Sequence, residues 1–497
     1  MTDIIYPTLD LFLYDLRNSL NDEQKQIDEQ KQIDDNYKNF KSRIAEKITE
    51  DNFQEDKYFE IEYYELLKNE FLKNKKNEFE SKRDNYPLKG YYFPVRIWDT
   101  YCLLLDCSIE NQDKDKPHEA QPAECLKFLK AEIEDKSNLK NKPPTIGQTW
   151  MISGWLPELK DDTTRDPNYT KTKYIKDIAK SCYAALMKNA DWEKDFQGEG
   201  EFLGATIFEF WRYELSLKEK NETPLTPDKI PNNQHVIIVL FPDEDKYNRL
   251  KDFYKDWLRL FCYRNKILFA YAQSRVIKRD IHHEINKIKS NQISEKQNQS
   301  YRGELAELDR KLTPAEESLK QYKSKLIKLD YQSGTIEINL INYEKRRKKI
   351  EKESESKLEF LQKFADTAND KYLLQTTKDS QMLERGWRLQ EATINAIRSR
   401  VELDRAKRDR NFQNVVGIVG VGLASASVVG SLEKLGETEN DPVRLCIQKH
   451  VPVPDYWLDP AVPLVYGIIT FFVTALLTWL LINVWPSLVK CIRNVDR

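Results

Sequence analysis

The sequence predicts a mixed head of the α+β or α/β class, then a long helical or coiled-coil stalk and a C-terminal hairpin of two transmembrane helices. Three observations support this. Runs of β-branched and aromatic residues fall between residues 91 and 241, an apolar heptad begins near residue 305, and the longest uncharged runs come last. The predicted domains are a helical N-terminal region (1–85), the globular head (86–290), the stalk (291–411), and the two transmembrane helices with an external loop and a basic tail (412–497).

Composition excludes several classes of protein. A chain of 497 residues that is 40% hydrophobic has enough apolar material for a sizeable core and is not mostly disordered. Its net charge of −2 argues against a dedicated nucleic-acid-binding protein, which is usually basic, so no direct nucleic-acid partner is expected. The seven cysteines form no C-x-x-C pair, which is typical of reduced cytosolic thiols rather than of a zinc ribbon.

The head contains five runs rich in β-branched and aromatic residues, which predict strands. A helical apolar spacing in residues 247–263 predicts an amphipathic helix after the last of them. The predicted strands are residues 91–97, 100–109, 148–156, 205–211 and 235–241.

Motifs for catalysis or metal binding are absent from the sequence. It contains no G-x-x-x-x-G-K-[ST], H-E-x-x-H or G-x-S-x-G pattern. His282, His283 and Glu284 are adjacent, so they point to different helix faces and cannot chelate one ion. Arg96, Trp98 and Asp99 could contact a ligand at a strand turn, although ordinary core and ion-pair roles are favoured. The prediction is a protein that is not an enzyme, with no catalytic residue, metal ligand or cofactor.

The stalk is predicted from a heptad pattern, which favours a coiled coil or an antiparallel helical hairpin. Thr313-Pro314 predicts a fresh helix start, and Tyr331–Gly334 predicts a turn. A further long helix is expected to run from about Asp379 through Asn414 into the membrane, and the basic run 345–349 reads as a solvated helix face rather than a polyanion site. The heptad positions are Leu305, Leu308, Leu312, Ala315, Leu319, Tyr322, Leu326 and Leu329.

Two uncharged runs near the C-terminus predict membrane spans. The runs are Val415–Leu432 and Val462–Val484, and a bilayer needs roughly 20 helical residues. The alternative, two buried core helices, is unusual for apolar runs of this length. We therefore predict spans at about 412–432 and 462–484.

The flanking charges predict the orientation. Arginine and lysine precede the first run and follow the second, whereas the loop between the runs carries more acidic than basic residues. The positive-inside rule then places both termini in the cytoplasm and the loop outside. The prediction is a multi-pass protein of the inner (plasma) membrane, in contact with lipid.

Small residues form two stripes on the first predicted span, which would let neighbouring helices approach closely in a ring of identical subunits. The alternative interpretation is that small residues are common in membrane helices and have no packing role here. The third face would line a pore, and three threonines that share a face with Gly467 would pack the second span on the first. The first stripe is Gly417, Gly420, Ala424, Ser427 and Ser431, the second is Gly422, Ala426 and Gly430, the pore-lining residues are Asn414, Ile418, Val421 and Ser425, and the threonines are Thr470, Thr474 and Thr478.

This order of elements, roughly residues 235–497, resembles the CorA family of divalent-cation channels. The resemblance implies a homopentamer in which the first span lines the pore and the long helix transmits ligand occupancy from the head. The family's Gly-Met-Asn signature is replaced by Gly430-Ser431-Leu432, so magnesium transport is not expected. The chain is similar in this respect to CorA-like membrane effectors of type III CRISPR defence. That similarity implies activation by a nucleotide-derived messenger, with a divalent cation as the other ligand class.

The sequence leaves two other functions open. One is a membrane-anchored scaffold or tether whose coiled coil binds partners without transport. The other is an anchored enzyme whose active site carries no recognisable motif.

Overall fold

A computed structural model of the chain describes residues 3–17, 26–44, 62–111, 117–157, 171–212, 234–291, 301–430, 441–450 and 455–483. The fold is mixed α and β, with a sheet and long helices, as predicted. It divides into two compact units. Unit 1 comprises Met1–Lys287 and Ser318–Leu389, and unit 2 comprises Ile288–Glu317 and Gln390–Arg497. The domain boundaries predicted from the sequence stay predictions.

Unit 1 is built on one sheet. Its described strands are β1 (Asp3–Leu16), β2 (Tyr63–Glu65), β3 (Glu78–Arg83), β4 (Tyr86–Ile97), β5 (Thr100–Ile109), β6 (Ala120–Pro122), β7 (Gly147–Trp155), β8 (Phe196–Phe202), β9 (Ala205–Arg212) and β10 (Gln234–Phe241). They follow the order β2-β4-β5-β1-β7-β10-β9-β8, with β3 beside β4 and β6 beside β1. Neighbours pair antiparallel except β7 and β10, which are parallel. The five strands predicted in the head are confirmed as β4, β5, β7, β9 and β10.

The helical prediction for residues 1–85 is wrong at its start, because β1 lies in the middle of the sheet between β5 and β7. Both faces of β1 are buried, so its apolar residues do not alternate cleanly with polar ones and the run has no strand period. Asp10 and Asp15 also interrupt its apolar residues. Asp15 is buried against Arg43, whose Nε donates to Asp15 Oδ2 at 2.7 Å.

Each face of the sheet carries its own apolar core. On the first face lie α1 (Gln26–Lys41), α2 (Asn69–Lys73), α3 (Leu126–Lys136), α4 (Lys171–Leu186) and α5 (Trp192–Asp195). On the second lie α6 (Glu244–Asn248), a 3-10 turn (Arg249–Phe253), α7 (Tyr254–Asn291), the end of α8 (Tyr301–Ser354), α9 (Gln362–Thr367) and a π-helical turn (Ala368–Leu373). The sheet is therefore covered on both faces, as a sheet of such apolar strands requires.

The stalk helices are longer and less interrupted than predicted. Helix α8 continues through Pro314 and Gly334, so both the fresh start at Thr313-Pro314 and the turn at Tyr331–Gly334 are wrong. Buried residues on either side of Gly334, such as Leu329 and Ile336, hold the helix in place. Packing outweighs the local preference of a single glycine or proline.

Within unit 1, α8 packs antiparallel to its neighbours. Tyr322 Oη donates to the Leu383 carbonyl of α10 (Leu374–Gly430) at 2.6 Å, and Lys325 Nζ lies 2.8 Å from Glu284 of α7. Tyr322 is buried, as are the heptad residues Ala315, Leu326 and Leu329. Of the two predicted arrangements of the heptad, the antiparallel one is present.

The described part of unit 2 is helical. It contains the last residues of α7, the first part of α8 and the second part of α10, then α11 (Pro442–His450) and α12 (Asp455–Asn483). One helix of the described chain is long and apolar enough to cross a membrane, at Ala461–Leu480, with a mean hydropathy of 2.0. Residues 412–430 of the first predicted span are helical within α10, and residues 431 and 432 lie outside the described residues.

Candidate functional site

A cavity of about 380 Å³ lies in unit 1 on the second face of the sheet, beneath α6 and the start of α7. Its floor comes from β1 and β5, where Asp10 lies opposite Asp106 and Thr8 opposite Ser108. Farther along these strands the same face carries Phe12 and Leu104, which belong to the core. The cavity forms where this face changes from apolar to polar.

Two carboxyl groups meet at the floor. Asp10 is fully buried and accepts a hydrogen bond from Tyr254 Oη at 3.0 Å, while Asp106 is 9% exposed and lines the cavity. Burial, and then the charge of Asp106, raises the pKa of Asp10. Burial is the main cause that raises the pKa of Asp106 to about 7. The charge of Glu110 raises this pKa further, and the charge of Lys89 lowers it.

The carboxyl groups of Asp10 and Asp106 belong to directly paired residues of β1 and β5, and Asp10 Oδ1 has no hydrogen-bond donor among the described residues. Two carboxyl groups this close do not ionise independently, so they titrate as a pair.

Aromatic rings form the wall at one end of the cavity. Tyr6 lies with its ring centroid 4.3 Å from that of His118 and 5.6 Å from that of Trp155, and Trp155 lies 5.3 Å from Tyr247. The hydroxyls of Tyr247 and Thr8 are 2.8 Å apart, which fixes α6 against β1.

Tyr6 has an unusual backbone. Its φ is +48°, a region that a tyrosine adopts at a cost of about 1–3 kcal/mol, and the register of β1 against β7 shifts between Ile5 and Thr8. The shift coincides with the point where Tyr6 joins the aromatic wall. Backbone strain of this kind concentrates at ligand sites.

The rim of the cavity is charged, with more acid than base. Four lining side chains carry carboxyl groups and two carry ammonium groups, and Lys89 Nζ is already 3.6 Å from Glu78 Oε2. The carboxyl groups belong to Glu78, Asp106, Glu110 and Glu244, and the ammonium groups to Lys89 and Lys251. The local field therefore favours positive over negative ligands.

In unit 2, the residues predicted on the first span lie on the last turns of α10. Asn414 and Ile418 are half-buried, whereas Gly417, Gly420, Val421 and Ala424 are exposed. A Cβ built on Gly417 or Gly420 would meet no heavy atom within 4 Å. Helix α10 also contains Gly422, Ser425, Ala426, Ser427 and Gly430, whose side-chain positions are outside the described part, and Ser431 lies outside the described residues. The pore-lining and packing roles of all these residues stay predictions.

The three predicted threonines share the less exposed side of α12. Thr470, Thr474 and Thr478 donate to the carbonyls four residues earlier, at 2.8, 2.7 and 2.7 Å, and Gly467 on the same side is buried. Their hydroxyls are thus satisfied inside the helix, as an apolar surrounding requires. Packing of this side on the first span stays a prediction.

The basic run 345–349 is an ion-paired helix face and is less solvated than predicted, because Arg347 is buried. Arg346 lies 2.6 Å from Asp256, and Arg347 lies 2.8 Å from Glu351. The other weak sequence candidates are ordinary contacts too, since Glu284 pairs with Lys325 and Asp99 pairs with Lys266. The described residues contain no group of three side chains suited to hold a metal ion.

Sequence reasoning missed the cavity, because its residues are dispersed from Tyr6 to Tyr254 and form no motif. One signal was available. Asp10 and Asp106 each interrupt an otherwise apolar strand run, TLDLFLY and CLLLDC, and a carboxyl group inside such a run needs a partner.

No family model, curated protein or solved structure matches the chain.

Proposed function

We propose that the chain is a CorA-like membrane pore, a homo-oligomer controlled by its large cytosolic head, and a ligand-activated effector of the kind used in CRISPR or anti-phage defence. The observation that carries this proposal is α10. One uninterrupted helix supplies Leu374–Leu389 to unit 1 and Gln390–Gly430 to unit 2. Its early residues Thr376 and Asp379 are buried, and its last turns expose apolar side chains such as Val416 and Leu423.

Exposed apolar surface on two helices supports a membrane location. In the span Ala461–Leu480 of α12 only 11% of the most apolar window is buried, and large side chains such as Phe472 and Leu476 are more than half exposed. Soluble proteins rarely leave such continuous apolar surface to water. We infer that this helix and the last turns of α10 form the two-helix transmembrane hairpin, with the 433–461 loop outside and both termini inside.

An exposed heptad on α8 supports the oligomer. Ile327, Tyr331, Ile338 and Ile341 are 46% to 59% exposed, and with Gly334 they follow a 4-3-4-3 spacing on the side away from the buried heptad. Such a stripe is typical of a helix that packs on another helix. A second copy of the chain is the partner that the pore requires, with five copies by the family resemblance.

In the assembled ring, Asn414, Ile418, Val421 and Ser425 line the pore, and the small residues of α10 contact neighbouring subunits. Ile418 and Val421 form an apolar constriction that closes by dewetting. Ligand binding in the head shifts the equilibrium toward the open ring.

The test is oligomer size together with ion flux. In detergent, Ile338→Lys should dissociate the oligomer, while Glu337→Lys, at an exposed neighbouring position, should leave it intact. In liposomes, Val421→Ser should assemble normally but leak ions without ligand. A monomer in every detergent, or a Val421→Ser variant no leakier than wild type, would favour the scaffold or tether instead.

A further inference from the structure

The cavity in unit 1 has the size and rigidity of a small-molecule site. Its volume of about 380 Å³ lies in the range of ligand pockets, and its floor is held by antiparallel strands. Strands β4, β5 and β1 pair in continuous register beneath it, with Tyr91 opposite Asp106 and Asp106 opposite Asp10. The cavity is therefore preformed.

Its lining suits a cation with an apolar body. Besides Tyr6, Trp155 and Tyr247, the rings of Tyr91 and Tyr254 contribute to the walls. Faces of aromatic rings attract positive charge, most strongly where water is excluded.

The floor disfavours an anion. A phosphate or carboxylate placed there would face the carboxyl group of Asp106, which is nine-tenths buried beside Asp10. A positively charged nitrogen would instead neutralise the charge of the ionised Asp106 carboxylate.

We propose that this cavity binds a small organic cation, with its ammonium or guanidinium group against Asp106 and its apolar body between the aromatic rings. Binding in the head is independent of the pore. Only its effect on ion flux rests on the proposed function.

Cation binding should release one proton from the carboxyl pair. Since the pKa of Asp106 is raised to about 7, the dissociation constant should fall severalfold between pH 6 and pH 8 and then level off. The charged and titratable groups that surround the pair are Tyr6 of β1, Lys89 and Tyr91 of β4, Glu110 after β5, Tyr247 of α6, Lys251 of the 3-10 turn and Tyr254 of α7.

The experiment is calorimetric titration of the full-length protein in detergent with choline and with agmatine. The control ligand is 3,3-dimethylbutan-1-ol, a neutral isostere of choline. We expect at least one cation to bind with a dissociation constant at least tenfold below that of the isostere. Titration in buffers of different ionisation enthalpy should show proton release at pH 6.5.

The variants are Asp106→Asn, which should weaken cation binding at least tenfold, and Glu337→Gln on α8, which should not change it. If Asp106→Asn fails to fold, Glu110→Gln at the half-buried rim should weaken binding by a smaller factor. The proposal is overturned if neither cation binds at millimolar concentration, if the isostere binds equally well, or if ATP binds in their place. A pore that conducts no ions would leave these binding results unaffected.

Discussion

Units 1 and 2 treat apolar side chains in opposite ways. In unit 1 the sheet is buried on both faces, and residues such as Leu11 and Ile238 have no exposed surface. In unit 2 the apolar helix α12 is largely exposed, with Phe472 at 66% and Leu464 at 63%. The same residue types thus form a core in unit 1, whereas in α12 few of them are buried within the described chain. The difference teaches that apolar residue types alone do not locate a core, because in unit 1 a sheet buries them and in α12 most of them stay exposed within the described chain.

The largest expected effect concerns that exposed helix. Replacing Phe472 and Val473 together by aspartate places two charges near the middle of the span, each at a cost of about 3 kcal/mol in a bilayer. We expect the variant to leave the membrane fraction after carbonate extraction. Ile338→Asp, at an exposed apolar position of unit 1, should stay in that fraction. Equal behaviour of the two variants would contradict the contrast between the units.

The next effect is on the core of unit 1. Gly90→Ala places a methyl group 2.1 Å from the Asp106 carbonyl and 2.4 Å from Phe79, so a strand or the ring must move. We expect a loss of roughly 3 kcal/mol in the free energy of unfolding, seen as a lower melting temperature of unit 1. The matched control is Gly334→Ala on α8, where a Cβ meets nothing within 4 Å. It should stabilise by about 0.5–1 kcal/mol.

A comparable loss in the free energy of unfolding is expected when the ion pairs that hold the start of α10 in unit 1 are removed. Asp379 accepts from Arg275 Nη1 and Lys278 Nζ, both at 2.7 Å, and the Arg275 side chain is 9% exposed. Asp379→Asn leaves a nearly buried guanidinium without its counter-ion, at a cost of about 3 kcal/mol. Urea denaturation followed by circular dichroism would measure it. A loss below 0.5 kcal/mol, within the range of an exposed pair, would show that this contact does not hold α10 in place.

The smallest effect is the pH dependence of the carboxyl pair. The folded-state pKa of Asp106 is raised to about 7, so the protonated form is the stable one in the fold. Its contribution to stability is full at low pH and is lost as the pH rises toward 7. Asp106→Asn should therefore melt higher than wild type at pH 8 and about equally at pH 4. A variant that melts lower at pH 8 would mean that the ionised carboxylate is stabilised by a partner in the fold.

The sequence predicted the elements whose period is clean and missed those whose environment is decided by distant residues. Strand β5 was predicted to the residue, because it begins after a turn and most of its residues are apolar or aromatic. Strand β1 was missed, since Asp10 and Asp15 find their partners only at Asp106 and Arg43. The cavity was missed for the same reason, because its lining residues come from distant parts of the chain and form no local sequence pattern.

In the stalk, by contrast, the repeating apolar pattern predicted the structure correctly and the single residues misled. Its antiparallel packing follows from an apolar period that the sequence displays, although the single residues Pro314 and Gly334 suggested breaks. The buried residues on both sides of Gly334 outweigh the flexibility of that one position.

The central claim is that the apolar helices cross a membrane as a hairpin with their connection outside. Cys446 on α11 tests it most directly, because this cysteine is exposed whereas Cys102, Cys107, Cys125, Cys182 and Cys262 are buried. On intact spheroplasts, a membrane-impermeant maleimide should label the wild type, and Cys446→Ala should abolish that labelling. Labelling that appears only after the membrane is permeabilised would place the connection inside and contradict the proposed topology.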